Sequence, residues 1–171
     1  MRSMQQVLYN KLFKRSLAEK LLSFFIFLTI SFLFQSLIIW ISSYSTFNFI
    51  HSKYLFHKLY IVLYSFYFIL LSISSWIVWK NHSFQNLKLE STLLVTIASL
   101  AVLWNYLFLT KQSYFFSLII SLFILFFSLI VNLLLWKKEK IAALVFSIAS
   151  TWSLYLFIIN MSISAAKGNF L

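Results

Sequence analysis

The chain contains no cysteine, no proline, one glycine, two arginines and three acidic residues in 171 positions. The absence of cysteine excludes disulfides, iron–sulfur clusters and thiol nucleophiles. Three histidines with no cysteine beside them argue against a zinc site. Charge is scarce as well: 10% of residues are charged against 62% hydrophobic and 21% aromatic, too little polar surface for a soluble domain of this size. Missing proline and glycine are less informative. They accompany the abundance of Phe, Ile, Lys, Asn and Ser expected of an AT-rich genome.

What is present is apolar sequence in long runs. Five of them approach the length of about 20 residues that crosses about 30 Å of hydrocarbon. They cover 21–41, 59–79, 91–110, 113–136 and 141–163. The expectation is an all-α fold, a five-transmembrane-helix bundle over 21–171, preceded by a basic segment at 1–20. The first run is too long for the apolar region of a signal peptide, and no small-residue cleavage site follows it. Within 1–20, Met4, Val7, Leu8, Leu12 and Leu17 recur near helical period with Lys11, Lys14 and Arg15 on other faces. This reads equally as an interfacial amphipathic helix or as a disordered basic tail. There is no sign of a second domain, a linker or a repeat.

A net charge of +11 is compatible with a nucleic-acid partner, but the basic residues sit in short clusters between apolar runs. They are loop charges, not a groove, and no nucleic-acid partner is expected. With successive connections on alternate sides of the bilayer, the N-terminus and the 80–90 and 137–140 connections hold ten Lys and Arg, and the other side holds four. That asymmetry places the N-terminus in the cytoplasm and the 42–58 loop outside, in what reads as a bacterial cytoplasmic membrane.

None of the five spans contains Asp, Glu, Lys, Arg or His. Proton relays, ion-coupled carriers and intramembrane hydrolases need an ionisable group or metal at depth, so no enzyme and no required cofactor is expected. Glu19, Glu90 and Glu139 are expected in solvated pairs near helix ends. His51 and His57 read as solvated or interfacial. The polar groups inside the spans are neutral, chiefly Gln35, Asn105, Asn132, Asn160 and many Ser and Thr. Ser117, Ser121, Ser128 and Asn132 share one face of the fourth span and read as a packing stripe.

Trp40, Trp76, Trp79 and Trp136 lie near span ends, where indoles favour the headgroup boundary. Trp104 and Trp152 are deeper, about 9 and 16 Å from the outer ends of their helices at 1.5 Å per residue. A deep indole needs a partner for its N–H. Ala101, Trp104, Asn105 and Phe108 share a face of the third span, and Trp152, Tyr155, Ile159 and Asn160 one of the fifth. Tyr60, Tyr64 and Tyr67 do so on the second. Three helices thus present aromatic faces with a few neutral hydrogen-bonding groups in the outer half of the bilayer. This is either a site for a flat apolar ligand or ordinary core packing in an aromatic-rich chain. A void between these helices would favour the first reading and a filled interior the second.

The same residues carry a resemblance. The run Leu100-Ala-Val-Leu-Trp104-Asn105-Tyr-Leu-Phe108 resembles the LNxxWSxxFF signature of the TspO/MBR family, the tryptophan-rich sensory and translocator proteins. The run Trp152-Ser-Leu-Tyr155-Leu-Phe-Ile-Ile-Asn160-Met-Ser-Ile163 resembles that family's WxxFAxxLNxxI. Trp104 and Trp152 stand 48 apart, close to the family's separation. Tyr60-Ile-Val-Leu63-Tyr64 is similar to its WxxLY, and Val78-Trp79-Lys80 to its VWK. The chain departs from the pattern at the PxWxPP loop, where Phe49 stands for the Trp and the prolines are gone. It departs also at Ala101, Ile148-Ala149 and Tyr60. The resemblance implies a five-helix bundle, often a homodimer, with a pocket under the first loop for porphyrins, sterols or aromatic ligands. Trp104, Asn105, Phe108, Trp152, Tyr155 and Asn160 match its pocket-lining positions, with Tyr60 and Phe49 as substituted ones; Tyr64 falls in the matched WxxLY.

The sequence therefore reads as an integral membrane protein that binds a hydrophobic aromatic ligand, porphyrin- or tetrapyrrole-like or sterol-like, as sensor, scavenger or transport accessory. Its partners would be the lipid bilayer, a hydrophobic small molecule and a second copy of itself. For dimerisation, Ala143, Ser147 and Thr151 form a small-residue row that could serve an interface or packing within the chain. Alternative readings are a membrane scaffold or assembly protein without a small ligand, and a substrate-binding membrane subunit of an uptake transporter.

Overall fold

The computed structural model describes residues 15–43 and 53–166, and their side chains except those of 43, 53–59, 84–85 and 166. The first loop with Phe49 and His51, the His57 side chain and the segment before Arg15 lie outside the described residues. Five helices account for nearly all of the described chain: α1 (Leu17–Ser43), α2 (Lys53–Asn81), α3 (Lys88–Asn105), α4 (Tyr114–Lys138) and α5 (Lys140–Ala166). All five are long and apolar enough to span a bilayer, as expected.

Most helices run a few residues past the expected spans, because a backbone leaving hydrocarbon stays helical while its flanking polar residues keep helical torsions. The largest extension is at α2, which begins at Lys53 rather than 59. The third span is not one regular helix. It passes from α3 into a wider turn at Tyr106–Thr110, in which the Lys111 N–H donates to the Tyr106 carbonyl at 3.0 Å, five residues back.

α1 begins inside the basic segment with a capping box that periodicity alone does not reveal. The Ser16 Oγ accepts from the Glu19 N–H at 3.2 Å, and a Glu19 carboxylate oxygen accepts from the Ser16 N–H at 2.8 Å. Arg15, just before it, lays its guanidinium over the Trp79 ring, 3.1 Å from the centroid, and donates to the His82 carbonyl at 3.1 Å. Burial lowers the Arg15 pKa while Glu19 opposes the shift, and the group remains a cation.

The helices close into a ring in the order α1, α2, α5, α4, α3, with α3 returning to α1. The α4–α5 interface, joined through Glu139 alone, is the most extensive, and the α3–α1 closure is the thinnest. Small polar residues mark the inward faces. Ser72, Ser74, Ser117, Ser121, Ser128, Ser153 and Asn160 are buried, while Phe25, Leu33, Phe116, Leu133 and Ile158 stand outward. This is the pattern of a bundle in lipid, where small side chains let helices approach and polar ones find partners. The fourth-span stripe packs as expected: Ser117 donates to Asn160 at 2.7 Å, Ser128 meets Ser153 at 3.3 Å, and Asn132 donates to Ser147 at 2.9 Å.

One open alternative is decided and one expectation is corrected. Ala143 is fully buried and Ser147 is bonded to Asn132, so that part of the small-residue row serves α4–α5 packing within one chain. Glu90 is not solvated. It is 3% exposed and pairs with Lys138 of α4 at 2.5 Å, because the ring brings the start of α3 against the end of α4.

Candidate ligand site

α2 and α3 are not neighbours in the ring, yet a hydrogen-bonded link joins them across its interior. The Tyr60 hydroxyl donates to the Asn105 Oδ1, and the Asn105 Nδ2 donates to the Tyr64 hydroxyl at 3.1 Å and to the Ala101 carbonyl at 2.7 Å. Asn105 is fully buried, so an unpaired amide there would cost about 1–3 kcal/mol. The bond back to Ala101, one turn earlier, fixes the amide's direction along the helix.

Around this link the aromatic side chains form two groups. On the α2–α5 side, Tyr60 and Tyr64 lie 4.8 Å apart, Tyr64 meets Trp152 edge-on at 5.2 Å, and Trp152 lies 5.0 Å from Tyr155. On the α3–α4 side, Trp104 stacks on Phe108 at 4.7 Å, and Phe108 meets Tyr114 edge-on at 5.6 Å. Trp104 is 1% exposed, whereas Tyr155 is 46% exposed and forms the outer rim of its group. Asn160 belongs to neither group: its amide accepts from Ser117 and donates to the Leu156 carbonyl at 3.0 Å. Of the expected residues, Tyr60, Tyr64, Asn105, Trp152 and Tyr155 form one connected chain of contacts, with Tyr155 joined through Trp152, and Trp104 and Phe108 form the second group.

Of the two deep indoles, Trp104 lacks the partner expected of it. The Nε1 of Trp104 is buried with no acceptor; that of Trp152 is buried beside the Tyr64 hydroxyl without reaching good hydrogen-bond geometry. By contrast the peripheral Trp76 donates to the Lys20 carbonyl at 2.8 Å, and Trp40 and Trp136 are largely exposed, as belt residues are.

A space of about 130 Å³ opens among α1, α2 and α3 toward the basic end, and none of the expected site residues lines it. Sequence reasoning missed it because one wall is the buried Glu90, whose partner Lys138 comes from the far end of the next helix, 48 residues on. The available signal was a lone carboxylate placed directly before an apolar run.

A ring of five apolar helices, each long enough to span hydrocarbon, with buried neutral polar groups and paired aromatics inside, defines an integral membrane helical bundle. The sequence pattern of the TspO/MBR family matches residues 19–166, most of the chain, and the protein belongs to that family. No curated protein and no solved structure matches it.

Proposed function

We propose that the protein binds a flat hydrophobic aromatic ligand of the porphyrin or tetrapyrrole kind, or a sterol-like one, between α2, α3 and α5, and acts as a sensor, scavenger or transport accessory rather than an enzyme. The observation that carries this reading is the buried indole N–H of Trp104 without an acceptor, with the Trp152 indole set against Tyr64 across the same interior. An unmade buried hydrogen bond costs about 1–3 kcal/mol, and a ligand with carboxylate or carbonyl edges would recover part of it. The aromatic side chains touch one another, which taken alone favours core packing, so such a ligand would have to part them and open the Tyr60–Asn105–Tyr64 link. Phe49 and the first loop would cover it.

Titration of the detergent-solubilised protein with protoporphyrin IX tests this. Tryptophan emission should be quenched saturably, and Trp104→Phe with Trp152→Phe should abolish most of the saturable part. Quenching that is unchanged in the double variant, or that never saturates, removes the ligand reading. The mutual packing of the rings then favours the rival, a membrane scaffold without a small ligand. A transporter subunit would instead copurify with a stoichiometric partner. We also place the basic end in the cytoplasm, in a bacterial cytoplasmic membrane, and propose a homodimer formed through lipid-facing surfaces.

A further inference from the structure

The space among α1, α2 and α3 differs in chemistry from the site above. Its walls are apolar, with Phe27, Leu94 and Ala98 among them, and it deepens to Phe68 in mid-bundle. Its outer lips carry Ile30 of α1 and Val95 of α3, 44% and 56% exposed, on either side of the thinnest seam in the ring. It thus opens sideways toward lipid. Glu90 forms the wall near the basic end, and although one of its oxygens holds Lys138, the other is buried with no hydrogen-bond donor. At roughly 10–15 Å³ for each water-sized group, a volume of about 130 Å³ accommodates a short run of an alkyl chain.

A narrow apolar slot open to the bilayer and ending at an unsatisfied acceptor fits one kind of occupant, a single-chain amphiphile whose head donates a hydrogen bond. The charge of this end decides between a neutral and a cationic head. Arg15, Lys20, Lys80, Lys88, Lys137, Lys138 and Lys140 all belong to it, and the acids Glu19 and Glu139 are engaged by the α1 cap and by Asn81. An added ammonium would meet this field, whereas a hydroxyl would not. We infer that this slot is a binding site for a neutral, hydroxyl-bearing, single-chain lipid of the leaflet at the basic end, with the hydroxyl on the free oxygen of Glu90 and the chain along α1 and α3. The inference is independent of the aromatic site, from which Phe68 separates it.

The full chain in phosphatidylcholine vesicles, irradiated with dodecanol carrying a mid-chain diazirine, provides the test. Adducts should map to 27–34 and 94–98 and saturate. Excess dodecanol should reduce them at least tenfold, and dodecane or dodecylamine should not. Ala98→Phe, which fills the slot, should reduce labelling at least tenfold. A second variant, Glu90→Leu with Lys138→Leu, removes the acceptor without stranding a charge, and in it dodecanol should compete no better than dodecane. Labelling spread over lipid-facing residues without saturation overturns the inference. So does competition by dodecylamine equal to that by dodecanol, or labelling that persists in both variants.

Discussion

Both polar atoms of the Asn105 side chain are bonded within the protein, to two tyrosines across the ring and to its own helix. Replacing it by leucine keeps the volume but leaves the Tyr60 and Tyr64 hydroxyls without that partner. Asn105→Leu should therefore destabilise the bundle by about 1–3 kcal/mol, seen as a lower thermal midpoint in detergent. Trp104 offers the opposite case. Its N–H makes no hydrogen bond, so Trp104→Phe loses only ring volume, and its effect on the midpoint should be smaller than that of Asn105→Leu. If Trp104→Phe alone were the more damaging, the indole N–H would have an acceptor in solution and the argument for a ligand there would weaken. Neither distinction was visible in the sequence, where Asn105 and Trp104 were equal members of one helical face; the partners come from elements about forty residues away.

At the scale of the elements, the five spans were legible because nothing but an apolar helix satisfies its backbone over so long an uncharged run. Their ends were less so, since Lys53 and its neighbours continue α2 beyond its apolar core. The wide turn after α3 was not legible at all. Two residues beyond it stands Gln112, whose φ of 52° lies in the left-handed region that favours glycine, and the Ser113 N–H then reaches back to the Leu107 carbonyl at 2.9 Å. In a chain with a single glycine, at position 168, glutamine bears this strain. Gln112→Gly should stabilise the protein by roughly 0.5–1 kcal/mol, and Gln112→Val should destabilise it, because a β-branched side chain crowds the same torsions further. Thermal unfolding of the two variants beside the parent reads both signs.

For the whole molecule, the order of helices around the ring was beyond sequence pattern, because sides facing lipid and sides facing the interior are both apolar. The buried serines and amides do distinguish them, and the fourth-span stripe was read correctly for that reason. Glu90 was misread because its environment is made by α4 and not by its neighbours in sequence. The absence of cysteine makes the orientation directly measurable. With a single cysteine placed at Asn86, on the basic end, or at Asn169, beyond α5, only the latter should react with an impermeant maleimide on intact cells. The reverse labelling would invert the topology drawn from the ten-to-four distribution of basic residues.

The ring order has a consequence for how the protein is made. Helices emerge from the ribosome in sequence, yet α3 packs chiefly on α1 and meets α2, the helix just before it, mainly through the Tyr60–Asn105–Tyr64 link, so the packing of the first three describes an open arc with α1 in the middle. The arc lengthens when α4 joins α3 and is completed only when α5 wedges between α2 and α4, where Ser74 finds the Ala142 carbonyl at 3.0 Å. The last of the five helices in chain order is thus the keystone, and without it the polar lining of the interior would face the membrane.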